Sequence, residues 1–118
     1  MTGSWLVTGF DAIFKVSNVT KSVEFYRRLG FDVSSHDDTY AFAHRDRDLT
    51  IHLAQAAGGD VPGQGSLYLL CQDADRVADD WRAAGTAVDG PRDEEYSRRE
   101  GSVADPDGNT IRFGSPLR

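Results

Sequence analysis

The chain has 118 residues, 39% hydrophobic and 27% charged, which fits one compact globular unit and excludes a disordered polymer. Thirteen Lys and Arg against nineteen Asp and Glu leave a formal charge of −6, which argues against nucleic acid or an anionic membrane surface as partner and favours cationic or metal-bearing ligands. One cysteine, Cys71, excludes an internal disulfide framework and a cysteine-based zinc site. The chain has no apolar run long enough to span a membrane, and Met1-Thr2-Gly3-Ser4 lacks the basic and apolar regions of a signal peptide, so a cytoplasmic protein is expected.

In chain order, residues 10–17 alternate as a strand, with Phe10, Ala12, Phe14 and Val16 on one face and Asp11, Ile13, Lys15 and Ser17 on the other. Residues 18–30 read as a helix: Val19, Val23, Tyr26 and Leu29 share a face, and Gly30 is placed to end it. A short strand is expected at 31–34. Strands at 39–43 and 49–54 then flank an Arg45-Asp46-Arg47-Asp48 turn, and in the second of them Leu49, Ile51 and Leu53 oppose Thr50, His52 and Ala54. Residues 57–65, with four glycines and Pro62, form a linker. The strand at 66–72 sets Leu67, Leu69 and Cys71 against Ser66, Tyr68, Leu70 and Gln72, with Cys71 as buried filler. A helix at 73–85 carries Val77 and Trp81, and a short strand is expected at 87–88. The polar stretch 92–98 reads as a loop whose Asp93-Glu94-Glu95 run faces water. Strands at 100–104 and 109–113 enclose the turn Asp105-Pro106-Asp107-Gly108-Asn109, and in the last strand Ile111 and Phe113 oppose Thr110 and Arg112.

The second half repeats the first. Asn18 and Asp73, Tyr26 and Trp81, Gly30 and Gly85, and Val33 and Val88 are each 55 residues apart. Leu49-Thr50-Ile51-His52-Leu53 recurs as Asn109-Thr110-Ile111-Arg112-Phe113 at an offset of 60. Each half therefore reads strand, helix, then two or three strands. Apolar faces would pack on the helices as one core per half. The opposite faces collect Asp11, Lys15, His52, Ser66, Tyr68 and Arg112, a mixed surface that reads either as a concave pocket or as an ordinary wet sheet. No phosphate loop, dinucleotide fingerprint or nucleophile elbow is present.

The repeat, the segment Val23-Glu24-Phe25-Tyr26 with Leu29-Gly30-Phe31, and the Asp105-Pro106-Asp107-Gly108-Asn109 turn together resemble the vicinal oxygen chelate superfamily, which contains glyoxalase I, extradiol dioxygenases and bleomycin resistance proteins. The resemblance implies an α+β fold of paired βαβββ modules, about 5–57 and 65–116, within one domain of residues 1–118, with curled mixed sheets around a concave pocket. The superfamily's enzymes bind a divalent metal at four symmetric strand positions, which match Asp11, His52, Ser66 and Arg112. Asp11 and His52 have ligand chemistry, but Ser66 is a poor ligand and Arg112 repels a cation. No metal, cofactor or catalytic residue is therefore assigned. Arg112 is expected to form an ion pair with Asp11 across the metal position, with His52 joining, or else to recognise an anionic ligand.

The local match favours the bleomycin resistance branch, through Arg45-Asp46-Arg47-Asp48-Leu49-Thr50-Ile51-His52-Leu53 and the Arg99-Glu100 pair. In that branch two protomers exchange arms, and acidic and aromatic side chains hold a cationic, planar antibiotic at the dimer interface. The resemblance thus implies a non-catalytic small-molecule binding protein that sequesters a bleomycin-like compound as an arm-exchanged homodimer. Trp5 would pack such an arm or cover an edge strand. The implied ligand-binding set is Asp11, Tyr40, His52, Ser66, Tyr68, Tyr96 and Arg112, with the three tyrosines stacking on the ligand. The alternatives are a metal-dependent lyase, isomerase or dioxygenase, and a metal-free enzyme using His52 or Arg112 on an anionic substrate.

Overall fold

The helices start where side chains replace missing backbone partners. In a computed structural model, which describes residues 5–46 and 49–117, Asn18 accepts a hydrogen bond from the Lys21 amide at 3.2 Å, and α1 follows as Val19–Arg28. Asp73 does the same for Arg76 at 3.2 Å, and α2 follows as Ala74–Ala83. Each helix ends before a glycine with positive φ, Gly30 or Gly85. An arginine in each last turn then ties down the next segment, Arg27 on the Val33 carbonyl at 3.1 Å and Arg82 on the Val88 carbonyl at 3.2 Å. The 55-residue repeat therefore extends to individual hydrogen bonds. Met1 to Ser4, read for targeting signals, and Arg47 and Asp48 of the first predicted turn lie outside the described residues.

The strands are β1 (Ala12–Val16), β2 (Asp32–Asp37), β3 (Tyr40–Arg45) and β4 (Leu49–Gln55), then β5 (Ser66–Leu70), β6 (Asp89–Glu94), β7 (Arg98–Ala104) and β8 (Thr110–Pro116). They form two four-stranded mixed sheets, ordered β1-β4-β3-β2 and β5-β8-β7-β6. In each sheet the outer strand β1 or β5 runs parallel to β4 or β8, and the remaining pairs are antiparallel. Ile13 pairs with His52, as Tyr68 pairs with Arg112, so the offsets of 55 and 60 hold in the strand register.

The inner faces bury Phe14, Val16, Ala41, Ala43, Ile51 and Leu53 beneath α1, and Val103, Ile111 and Phe113 beneath α2. Burying one large apolar side chain contributes about 1.5–3 kcal/mol. The expected one core per half is replaced by a single continuous core, because side chains cross between the halves. The Trp81 indole donates to the Leu29 carbonyl at 2.9 Å, and the Tyr26 hydroxyl donates to the buried Asp105 carboxylate at 3.1 Å. Asp105 also accepts from the Asp107 and Asn109 amides and the Asn109 side chain, each at 2.9 Å. Asn109, fully buried, reaches the Lys15 carbonyl at 3.0 Å and the Gly65 amide at 2.8 Å. The predicted Asp-Pro turn is therefore also the staple between the halves. The linker closes on it: a Cβ on Gly63, at φ 84°, would lie 1.9 Å from the Asp107 carbonyl oxygen.

Further expectations change. Phe10 does not join the apolar face: β1 begins at Ala12, and Phe10 is 89% exposed on an arm that also exposes Trp5, Leu6 and Val7. The strand expected at 87–88 lies instead at Asp89–Glu94, and the polar stretch 92–98 is a hairpin joining β6 to β7. Its outward residues are charged, with Arg99 bridging Asp75 at 3.0 Å and Asp93 at 2.9 Å, so no apolar alternation announces it. Cys71 is half-buried rather than core filler, donating to the Gly114 carbonyl at 3.3 Å, and burial raises its pKa.

Candidate functional site

The faces turned away from the helices carry the predicted site residues, divided between the sheets. On the first sheet, β3 and β4 are antiparallel neighbours, so alternate residues stand together on the open face. Tyr40 bonds to His52 Nδ1 at 2.7 Å, and His52 Nε2 lies 2.9 Å from Asp11 Oδ2. A carboxylate only accepts, so Nε2 carries the proton, and in the neutral ring Nδ1 receives the Tyr40 hydroxyl proton. Phe42 packs edge-on against His52, with ring centroids 5.0 Å apart, and lies parallel to His44 at 6.3 Å. His44 is held by Thr50 at 3.0 Å. His52 is 21% exposed and Asp11 49%, so the hydrogen-bonded chain runs from a half-buried ring to the surface.

On the second sheet Arg112 donates to Glu100 Oε1 at 2.6 Å, and the Tyr96 hydroxyl donates to the same oxygen. Glu100 is only 5% exposed, whereas Arg112 is about half exposed. Oε2 is buried without a hydrogen bond of regular geometry. The Tyr68 hydroxyl is the nearby donor, and it lies where a Cβ on Gly114 would fall 1.9 Å away, so only glycine leaves room for it. Hydrogen bonds from Tyr96 and Tyr68, with Arg112 alongside, hold the Glu100 carboxyl below its ordinary range against the opposing effect of burial. The same contacts act on the phenols. Burial and then Glu100 push Tyr68 up to about 12, and the bond to Glu100 raises Tyr96. The Arg112 guanidinium also sits 5.8 Å from the Tyr68 ring centre. Ser66 stands exposed at the start of β5.

The expected Asp11–Arg112 ion pair is not formed. Asp11, just before β1, and Arg112, on β8 of the other sheet, each take a partner from their own half, His52 for Asp11 and Glu100 for Arg112. The four positions that the resemblance assigns to a metal therefore hold a carboxylate and an imidazole bonded to each other, a serine, and a fixed cation beside its own carboxylate. This donor set does not fit a resident divalent ion. Among the described residues, no three His, Cys, Asp or Glu side chains converge.

Three contributors escaped the sequence reading: Phe42, Glu100 as a buried group on the open face, and Gly114. The offset of 60 places Glu100 opposite Tyr40 in the repeat, and alternation from Tyr40 places Phe42, so both signals were present. Two cavities adjoin the sheets. One of about 490 Å³ borders Val88, Asp89, Ser102 and Thr110, and one of about 250 Å³ lies between the halves beside Leu29, Arg45 and Trp81.

Residues 11–113 match the family model described as the glyoxalase/bleomycin resistance protein/dioxygenase superfamily. An uncharacterized protein of Mycolicibacterium smegmatis is 31% identical over 107 residues, covering 90% of this chain and 91% of that protein. Among solved structures, the antibiotic binding protein TnmS3 of Streptomyces sp. CB03234 superposes with a TM-score of 0.77 at 26% identity, over 95% of this chain and 99% of that one. A bleomycin-binding protein complexed with bleomycin gives 0.78 at 19% identity, over 92% and 98% of the two chains. A bleomycin resistance determinant encoded on the transposon Tn5 gives 0.80 at 18%, over 93% and 98%. The last two likenesses concern the fold alone.

Proposed function

Given that the chain belongs to the glyoxalase/bleomycin resistance protein/dioxygenase superfamily, we propose that it is a non-catalytic small-molecule binding protein that sequesters a planar, cationic, antibiotic-like compound. The observation that carries this reading is the pair of open sheet faces. Each is furnished with aromatic rings and hydrogen-bonded polar groups, and the donor set does not suit the metal that enzymes of the superfamily use. Asp11, Tyr40, His52, Ser66, Tyr68, Tyr96 and Arg112 are the proposed contacts, with Phe42 added. The likeness to TnmS3, named an antibiotic binding protein, supports the same reading.

The binding unit is proposed to be a homodimer. Trp5, Leu6 and Phe10 are 77, 90 and 89% exposed, and Ile13 and Leu70, on the edge strands β1 and β5, also face outward. Contiguous exposed apolar groups beside open sheet edges favour a partner surface, and a second copy offers a self-complementary one. Pairing would set one open face against another and enclose a cleft between them. A cytoplasmic location is proposed from the single unpaired cysteine; no helix among the described residues is long and apolar enough to cross a membrane.

The test is a calorimetric titration with bleomycin and with proflavine, followed by mass spectrometry of the recovered compound. The reading expects saturable binding near one ligand per chain, with dissociation constants of about 1 μM or lower, and unaltered ligand. Conversion of the compound with multiple turnovers would overturn sequestration. Light scattering is expected to give twice the 13.0 kDa chain mass, and Phe10→Asp should shift it towards the monomer.

A further inference from the structure

Both open faces treat a tyrosine hydroxyl alike. While the His52 ring is neutral, Tyr40, half-buried on β3, donates its proton inward to Nδ1, and Nε2 donates on to Asp11. Tyr96, in the β6–β7 turn and more than half exposed, donates its proton inward to Glu100, which can only accept. A phenol has one proton and two lone pairs. With the proton engaged behind it, each of these hydroxyls offers only lone pairs to a molecule on the open face. A chain of hydrogen bonds polarises its members, and Tyr40→His52→Asp11 draws the phenol proton towards an anion, which enriches the Tyr40 oxygen further. On the second sheet the outward donor is Arg112, whose guanidinium has five N–H groups and uses one on Glu100.

We propose that Tyr40 and Tyr96 are specificity residues that read hydrogen-bond donors on the ligand, so that the site selects a planar compound bearing free N–H or O–H groups over its N- or O-alkylated analogue. The proposal rests on the binding reading above and names the ligand chemistry that this site prefers. It differs from simple charge attraction, because methylating an exocyclic amine removes the donors and leaves the ring and its charge in place.

Proflavine and its tetramethylated analogue acridine orange make the comparison. Both are planar monocations at pH 8, and only proflavine carries exocyclic N–H groups. Fluorescence titrations of the full chain are expected to show proflavine bound about tenfold more tightly, as suits one or two hydrogen bonds to uncharged acceptors. In Tyr40→Phe and Tyr96→Phe together, proflavine should weaken to within about threefold of acridine orange, whose affinity should be little changed. The phenylalanines keep the rings, so stacking is preserved. Equal affinity of the two dyes for the unaltered protein would overturn the inference and leave the binding reading standing. A preference that persists unchanged in the double variant would also overturn it, since methyl bulk alone would then explain the discrimination. Failure of both dyes to bind would bring down the planar-cation reading, and the inference with it.

Discussion

The two sheets share one strand plan and place different chemistry at matching points. Tyr40 on the first corresponds to Glu100 on the second, and His52 to Arg112, so the same diagonal pair is a polar bond of 2.7 Å in one sheet and an ion pair of 2.6 Å in the other. Ala54 corresponds to Gly114, and the smaller residue is what admits the Tyr68 hydroxyl beside Glu100. The hairpins diverge as well. Asp105 is buried in the staple between the halves, whereas Arg45, its counterpart, is exposed and donates to the Gly30 carbonyl at 2.8 Å. A repeated backbone constrains where side chains meet and leaves open what they do there.

The hairpin contrast predicts the largest effect. Asp105→Ala removes a buried acceptor and strands the Tyr26 hydroxyl, so a loss of about 3 kcal/mol is expected, or roughly 10 °C in thermal midpoint, whereas Arg45→Ala should cost about 0.5 kcal/mol or less. Similar losses at the two positions would mean that the staple is not where the halves are joined. Next comes the diagonal pair. Glu100→Gln should destabilise more than Tyr40→Phe, by urea midpoint, because only the former disrupts a buried charge that three donors serve.

The same carboxylate gives a sign for pH. Glu100 is held below its ordinary range when folded, so its contribution is present above the unfolded-state pKa and is lost as pH falls through the lowered folded value. Urea midpoints measured from pH 6 down to pH 3 should fall less steeply in Glu100→Gln than in the unaltered protein. Smallest in stability is Gly114→Ala. The new methyl displaces the end of a flexible side chain, so the effect should be local: Tyr68 leaves Glu100, and its phenol titration drops from about 12 towards 10, readable by ultraviolet difference spectra.

The fold was legible because its signals are local or repetitive. Helix-ending glycines at 30 and 85 and the two offsets marked both helices and matched His52 to Arg112, a correspondence that the strand register repeats, while the caps at Asn18 and Asp73 and the strand order within each sheet are seen only in the structure. The site was half legible. Alternation put Asp11, His52, Tyr68 and Arg112 on open faces, but partner choice depends on which strands share a sheet, which is why Asp11 was matched to Arg112 across a gap that the sheets do not close. The β6 strand escaped because both its faces are polar or only half-buried, leaving no hydrophobic period to read. Glu100 escaped because a buried carboxylate in a short strand looks like any surface glutamate until its donors, Tyr96 four residues away and Arg112 twelve, are brought beside it.

The staple at Asp105 and Asn109 also has a consequence for synthesis on the ribosome. Its bonds to Tyr26 and Lys15 span 79 and 94 residues, so the first sheet is made long before the groups that seal its edge. An emerging chain can form α1 and pair β1 with β4 early, yet Phe14 lacks its cover at Gly65 and Asn109 until the final hairpin appears. Nascent chains halted before that hairpin are therefore expected to be protease-sensitive and to engage chaperones, and the last hairpin to close is also the one that makes the two halves a single cooperative body.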